Sequence, residues 1–350
     1  MKKTLLALAA VAASSAAFAQ SSVTLYGVVD VSVERVKGDH QVNRISSSNL
    51  SSSRIGFKGT EDIGGGLKAK FALESAVNVD TGAQGNTARF FDRAAWVGLA
   101  GGAGEIRLGR QDSSIGELAG DTSILGGQAY DDLKIVKTIA GDSYRRVDNA
   151  VTYILPSFIQ GVSAQLQYST AGVANATAGD ATGTERYGSN YGESTGLSVK
   201  YASGPVLAGL GYINIKDNKH DVAGDQRANA TLVYGGYDLG MAKVIGYYDA
   251  ETKGARRLSV LGVKAVVPVS AETTVTAGIS KAKNTAGLAA NNDDAVITAI
   301  KATHKLSKRT TVYGIATLVN NEGAASVALV SPTSADAKAG GIAFGVAHAF

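Results

Sequence analysis

Apolar and polar side chains alternate with a period of two residues along most of this sequence. In VTLYGVVDVSVE (residues 23–34), one parity carries valine, leucine and glycine, and the other carries mostly polar residues. The segments LKAKFALESAVN (67–78) and GVSAQLQYS (161–169) repeat the pattern. This period is that of a β-strand with one apolar and one polar face. Since no apolar run after residue 20 approaches the ~20 residues of a membrane-spanning helix, the pattern predicts an all-β chain.

The connections between the predicted strands differ in length in a regular way. Short turns such as Ser203-Gly204 alternate with long connections at 79–89, 112–144, 170–190 and 320–338. A soluble β-sandwich shows the same alternation of side chains, but short turns at one end and long loops at the other are typical of an outer-membrane barrel. The predicted strands are 22–36, 44–59, 66–78, 89–101, 104–111, 145–155, 161–170, 191–202, 205–216, 226–237, 240–251, 256–267, 272–283, 293–304, 310–320 and 339–350.

This strand count favours a closed barrel. Residues 20–350 provide roughly 21 residues for each of sixteen strands and its connection, enough for the ~9–11 residues of a tilted spanning strand. An open sheet edge in lipid would leave backbone groups unpaired, so the sheet must close on itself. We therefore predict an all-β, sixteen-stranded antiparallel transmembrane β-barrel that forms a single domain over residues 20–350.

The first nineteen residues have the features of a secretory signal peptide. Lys2 and Lys3 precede an apolar run over residues 5–11, and Ala17-Phe18-Ala19 is a small-x-small cleavage site, so residues 1–19 are expected to be removed. Removal lowers the formal net charge of +4 by two, and the near-neutral product gives no argument for a nucleic-acid partner. The lack of cysteine excludes disulfides, and the four scattered histidines predict neither a metal nor a cofactor site.

The other end of the sequence predicts how the barrel closes. In GIAFGVAHAF (341–350), Phe344 and Phe350 share one parity, whereas the other parity carries only glycine and alanine. The apolar parity is expected to face lipid or a neighbouring subunit, with Phe350 in the aromatic girdle at the membrane interface. This last strand is expected to pair with the first.

An ordered set of segments gives the sequence a family resemblance. SSVTLYGVVDVSV (21–33), SSSRIGFKGTEDIGGGLKAKFALES (51–75), FDRAAWVGL (91–99), IRLGRQ (106–111) and the terminal Phe350 resemble the general diffusion porins of Gram-negative outer membranes, most closely the trimeric porins of beta-proteobacteria. The resemblance implies a homotrimer of water-filled barrels, each narrowed by a third loop that folds inward. The connection 112–144 falls in the place of that loop. Phe350 would then also belong to the signal that the barrel-insertion machinery reads.

The same resemblance implies two facing sets of charged residues at the constriction. Arginines of the wall map onto Arg54 (in SRIGFKG), Arg93 (in DRAAWVGL) and Arg146 (in RRVDNAVTY), and Arg107 is counted with them. The loop lacks the usual Pro-Glu-Phe segment, so its candidate carboxylates are Glu117, Asp121, Asp131 and Asp132. Residue parity predicts that Arg54 and Arg93 face the lumen and that Trp96 faces outward.

These expectations define a channel for passive diffusion of small hydrophilic solutes and ions, located in the outer membrane. A basic excess at the narrowest ring favours a weak preference for anions. The expected partners are outer-membrane lipid and lipopolysaccharide, the insertion machinery, the permeating solutes and two further copies of the chain. An adhesion or anchoring barrel is one alternative, which would have fewer strands or a separate passenger domain. A barrel phospholipase is the other, which would need a serine and a histidine together on the lipid face. The favoured function is not enzymatic.

Overall fold

The structure is a computed structural model that describes residues 22–125, 130–140, 142–170, 193–216, 227–285, 292–330 and 333–350. The predicted signal peptide, residues 1–19, lies outside this range. The strands in the described residues are β1 (Ser22–Lys37), β2 (Gln41–Ser47), β3 (Arg54–Gly64), β4 (Leu67–Asn78), β5 (Ala83–Gln84), β6 (Ala94–Gly101), β7 (Gly104–Asp112), β8 (Arg146–Ile154), β9 (Val162–Ser169), β10 (Ser194–Ser203), β11 (Val206–Lys216), β12 (Arg227–Asp238), β13 (Lys243–Lys253), β14 (Arg256–Pro268), β15 (Thr273–Lys283), β16 (Ala295–Lys305), β17 (Thr310–Asn321) and β18 (Lys338–Ala349).

Helix is almost absent from the described part of the chain. Two four-residue helices, α1 (Ala119–Thr122) and α2 (Asp132–Ile135), and a 3₁₀ turn at Asp142–Tyr144 all lie between β7 and β8. No helix among the described residues has the length and apolarity needed to cross a membrane.

The strands form one antiparallel sheet that closes on itself. Each wall strand pairs with its neighbour in sequence, and β1 also pairs with β18. β2 and β3 lie end to end beside the same strand, β1, and together occupy one position in the wall. The two-residue β5 pairs with the end of β4 and is not a strand of the wall. The eighteen strands of the described chain therefore make a wall of sixteen, as the sequence predicts. The closed sixteen-stranded barrel is confirmed.

The second wall strand differs from its predicted range, 44–59, because residues 48–53 leave the ladder. The Asp30 side chain causes this break: its Oδ2 accepts hydrogen bonds from the backbone N–H groups of Leu50 and Ser51, both at 2.7 Å. At the start of the break, Ser48 has a φ of 71°, a left-handed conformation that non-glycine residues seldom adopt. A buried carboxylate on the inner face thus holds the bulge.

The outer face is apolar, as the alternation predicts. Val23, Leu25 and Phe344 keep 71%, 53% and 57% of their surface exposed. Parity in β6 is the exception: Val97 and Leu99 face outward, and Trp96 lies on the lumen side. The predicted strand 89–101 actually begins at residue 94, so the alternation counted from Arg93 gave the wrong side for Trp96.

The inner face is divided into two halves of different chemistry. On β11 to β17 it carries mainly apolar side chains, including the fully buried Ile213, Leu232 and Ile297, with a few charged ones among them. These pack against buried apolar residues between β7 and β8, among them Ile115 and Ile124. On β3 to β8 the inner face carries charged groups instead. The core of the molecule therefore lies inside the barrel, against one half of its wall.

Candidate channel constriction

The segment between β7 and β8 is bound to the far wall through its own backbone carbonyl groups. The ammonium group of Lys264 on β14 donates to the carbonyl oxygen of Ser123 at 2.8 Å. That of Lys301 on β16 donates to the carbonyl oxygen of Leu125 at 2.7 Å. Both lysines lie on the inner face, so these bonds hold residues 123–125 against the inside of the wall.

A second attachment lies on β13. One carboxylate oxygen of Glu251 accepts hydrogen bonds from the Thr138 hydroxyl at 2.7 Å, the Ile139 N–H at 2.7 Å and the Ala140 N–H at 2.9 Å. Hydrogen bonds to a charged acceptor are stronger than those between neutral groups. Residues 138–140 are therefore fixed to the wall by one buried side chain.

Tyr130 attaches the segment to the closing strands. Its hydroxyl donates to Glu34 on β1 at 2.8 Å, and its carbonyl oxygen accepts from the Thr317 hydroxyl at 2.9 Å. A Cβ atom at Gly341 would lie 2.7 Å from the Tyr130 ring, too close for any real contact. Glycine at that position of β18 thus allows the ring to lie against the wall. Together the three attachments extend from β13 to β1.

The structure brings Arg54, Arg93 and Arg146 together on the opposite half of the inner wall. Nε of Arg93 donates to Glu74 on β4 at 2.6 Å, and Nε of Arg54 lies 3.4 Å from the other oxygen of that carboxylate. Nε of Arg146 donates to the carbonyl oxygen of Arg93 at 3.1 Å and pairs with Asp112 at 3.1 Å. The three side chains form one connected group.

Two further arginines extend this group. Arg89 and Arg110 each contact the same oxygen of Asp148 on β8, at 2.7 and 2.6 Å. We call the five arginines and their three carboxylate partners the arginine cluster: Arg54, Arg89, Arg93, Arg110, Arg146, Glu74, Asp112 and Asp148. Five guanidinium groups against three carboxylates leave an excess of two positive charges within these ion pairs. Each arginine side chain keeps between 17% and 26% of its surface exposed, so water reaches all of them.

Arg107 lies apart from the arginine cluster. Its Nε donates to Glu105 on its own strand, and its guanidinium group lies 4.4 Å from the centre of the Trp96 ring. Arg107 pairs with Gly98 across β6 and β7, near the short turn that joins these strands. Arg107 therefore faces the lumen, but it lies closer than the arginine cluster to the end of the barrel with the short turns.

The loop carboxylates divide into two kinds. Asp131 and Asp132 are fully buried; they accept hydrogen bonds from the N–H groups of Leu125 and Ile124, and Asp132 also accepts one from the Tyr247 hydroxyl. Burial, followed by the adjacent Asp132 carboxylate, raises the pKa of Asp131 to about 8. The expectation that these two carboxylates face the arginines is corrected: they hold the loop together from inside.

Asp121 and Glu117 lie at the surface of the loop. Asp121 accepts hydrogen bonds from Lys200 on β10 and from the Tyr234 hydroxyl on β12. Its partners are therefore on a different part of the wall from the arginine cluster. Glu117 is exposed within the enclosing wall. Its limited solvation, followed by repulsion from Asp112, raises the pKa of Glu117, while Arg107 and Lys200 act in the opposite direction. Of the four predicted carboxylates, Glu117 is the one left open to the lumen.

Sequence reasoning missed the carboxylates that pair with the arginines. Glu74, Asp112 and Asp148 all lie on the wall itself, and none is in the interior of the loop. A signal for one was present, because alternation in β4 puts Glu74 on the polar face, in the segment FALES. Nothing in the sequence indicated that Arg110 pairs with Asp148.

Phe350 lies at the seam between the last and first strands. It exchanges backbone hydrogen bonds with Gly27 in both directions, each at 3.1 Å. Its ring covers Gly27 on the outer face, where a Cβ atom would lie 2.4 Å from the ring. Gly27 is therefore buried under a side chain of its own chain, and does not leave an open space on the outer surface.

A family model described as Gram-negative porin matches residues 5–324 of the chain. The chain belongs to this porin family. Outer membrane porin protein 32 of Delftia acidovorans is 33% identical to it, over 100% of both chains. An outer membrane porin protein of Bordetella pertussis is 31% identical over 73% of this chain and 70% of its own. Among solved structures, the anion-selective porin from Comamonas acidovorans matches with a TM-score of 0.78 at 26% identity, covering 95% of this chain and 100% of the other.

Family membership and the closed barrel together define the porin's place and general role. It is an outer-membrane protein with an apolar outer face, and its lumen provides a path for passive diffusion. The two inner halves of the porin then differ in what a solute meets: the packed loop on one side and the arginine cluster on the other.

Proposed function

We propose that this porin is a channel for small hydrophilic solutes and ions with a weak preference for anions, and that the arginine cluster and the loop between β7 and β8 form its constriction. The observation that carries the proposal is the excess of positive charge in the cluster, opposite a loop whose buried carboxylates are engaged inside it. A basic excess at a narrow ring attracts anions and repels cations. Of the compared proteins, the Comamonas acidovorans porin is described as anion-selective.

The test replaces Arg54, Arg93 and Arg146 together by glutamine and measures the reversal potential of single channels across a salt gradient. We expect a shift toward cations that shrinks at high salt, because the Debye length falls from about 10 Å at 0.1 M to about 3 Å at 1 M. A matched control replaces three exposed arginines outside the cluster, Arg35, Arg257 and Arg309. An equal shift in the control, or none in the cluster variant at low salt, would contradict the assignment.

We further propose that the porin has no enzymatic role. A barrel phospholipase would need a serine beside an outward-facing histidine. The outward-facing His348 on β18 has its Nδ1 2.9 Å from the Thr310 hydroxyl, which supports a structural role for this side chain. The adhesion alternative is disfavoured by the size of the barrel, since a wall of sixteen strands leaves room for a lumen. An assay of detergent-solubilised protein on phospholipid should give no hydrolysis above that of a His348→Ala variant.

We also propose that the porin assembles as a homotrimer. In this proposal residues 1–19 direct export, the C-terminal strand is read by the insertion machinery, and the outer face contacts lipid and lipopolysaccharide. The exposed apolar side chains of the outer face support both lipid contact and subunit contact. The mass of the protein–detergent complex tests the assembly, and a uniform monomer would contradict the trimer while leaving the channel proposal standing.

A further inference from the structure

A second group of cations lines the lumen away from the arginine cluster. Lys58, Lys70, Trp96 and Arg107 surround a hollow of about 280 Å³ on the inner face of β1, β3, β4, β6 and β7. We call it the Trp96 hollow. Lys58 lies four residues from Arg54 along β3, about 13 Å at the rise of a strand, toward the end of the barrel with the short turns. In outer-membrane barrels this is the periplasmic end.

Two of the three cations of the Trp96 hollow lie against aromatic rings. The Lys58 ammonium group lies 4.9 Å from the centre of the Tyr26 ring, and the Arg107 guanidinium group lies 4.4 Å from that of Trp96. Among the described residues, Glu105 is the carboxylate of this group, shared by Arg107 and Lys70. No ion pair of Lys58 is present in the described part of the chain, which leaves its donors available to a solute.

The remaining lining of the hollow suits a flat apolar body. The small side chain of Ala72 is paired with Trp96 across β4 and β6, so the indole borders an open space. Thr24 and Thr60 also line the hollow. Cationic donors beside an accessible aromatic surface, in a volume below that of ordinary drug-sized sites, fit a small molecule with one ring and one anionic group.

We propose that the Trp96 hollow is a binding site for small aromatic carboxylates on the periplasmic side of the constriction, with the carboxylate at Lys58 and the ring against Trp96. The inference rests on the proposed channel function, since the hollow is reached through the lumen. It adds to that function a site where a class of anionic solutes pauses after passing the arginine cluster.

The sequence supplies a direct probe of this site, because Trp96 is the single tryptophan of the chain. Tryptophan fluorescence of the purified porin in neutral detergent therefore reports from the hollow. We expect titration with benzoate to change the fluorescence along a saturating curve. Acetate has the charge without the ring, and benzamide has the ring without the charge. We expect each to require at least tenfold higher concentration for the same change.

A pair of lysine variants locates the binding. Lys58→Gln removes the unpaired cation, and we expect it to weaken benzoate binding about tenfold. Lys68→Gln removes an exposed lysine of β4 that does not line the hollow, and we expect an affinity within twofold of the original. Lys58→Arg keeps the charge and should restore most of the affinity. Heat-dependent gel mobility confirms that each variant is a folded barrel.

The outcomes separate this inference from the proposed function. A linear, non-saturating response to benzoate, an equal response to benzamide, or unchanged affinity in Lys58→Gln would each overturn the site. Channel recordings are made on the same preparations. An anion-preferring channel without saturable binding refutes the site and leaves the channel proposal intact, whereas saturable binding without conduction does the opposite.

Discussion

Neutralising Glu74 should make the channel more selective for anions. Glu74 is the carboxylate shared by Arg54 and Arg93, with its oxygens 3.4 and 2.6 Å from their Nε atoms. In a Glu74→Gln variant the side chain keeps its shape and loses its charge, so the positive excess of the arginine cluster rises from two to three. This change is opposite in sign to the removal of an arginine, which makes its direction diagnostic.

The size of the effect follows from Coulomb's law. A unit charge about 6 Å from a permeating ion in a water-like medium changes its energy by about 0.7 kcal/mol, with opposite sign for anions and cations. Screening at 0.1 M salt, where the Debye length is about 10 Å, removes roughly half of each contribution. The anion-to-cation preference should therefore change by about 0.7 kcal/mol, which is about threefold.

The assay is the reversal potential of single channels with the dilute side near 0.1 M salt. Glu61→Gln is the matched control, because Glu61 is an exposed glutamate of β3 outside the arginine cluster. An unchanged potential in Glu74→Gln, or a shift toward cations, would refute the reasoning that the cluster sets the field at the narrowest point. So would an equal shift in the control variant.

Four further perturbations test the seam, the loop and the titration of Glu117. Deleting Phe350 should lower the yield of assembled barrel far more than the conductance of the barrels that do assemble. Gly27→Ala should lower the temperature of barrel unfolding, because its Cβ would lie 2.4 Å from the Phe350 ring. Wild-type yield and a wild-type unfolding temperature would contradict the role of this seam in assembly and stability. Asp132→Ala should increase single-channel current noise, because it leaves the Tyr247 hydroxyl and the Ile124 N–H without their acceptor, at a cost of about 1 to 3 kcal/mol for each group. Current noise equal to that of the wild type would show that other contacts hold the loop. As pH falls through the raised pKa of Glu117, its negative charge is lost and anion preference should rise, beginning above the ordinary glutamate range near 4.3; an identical pH profile in Glu117→Gln would exclude this group.

Much of the barrel could be predicted from the sequence because its determinants are local. Side chains on a strand alternate between two faces, so the apolar parity that includes Val23, Leu25 and Phe344 follows from the sequence alone. The alternating lengths of turns and loops then favoured a membrane barrel, and the segments between them gave a count of sixteen strands. A wrong strand boundary reverses the assignment of faces: alternation counted from Arg93 predicts Trp96 on the lipid side, whereas the strand that begins at residue 94 places it in the lumen.

The partners inside the lumen were decided by the tertiary structure. Arg54 and Glu74 are twenty residues apart in sequence and Arg110 and Asp148 are 38 apart, and the register in which β3 pairs with β4 and β7 with β8 brings these side chains within ion-pair distance. Asp131 and Asp132 look like channel carboxylates in the sequence, but the apolar inner face of β11 to β17 buries the loop that carries them. Strand periodicity reports which face a residue occupies. It carries no information on which distant segment covers that face, because that depends on packing between parts of the chain far apart in sequence.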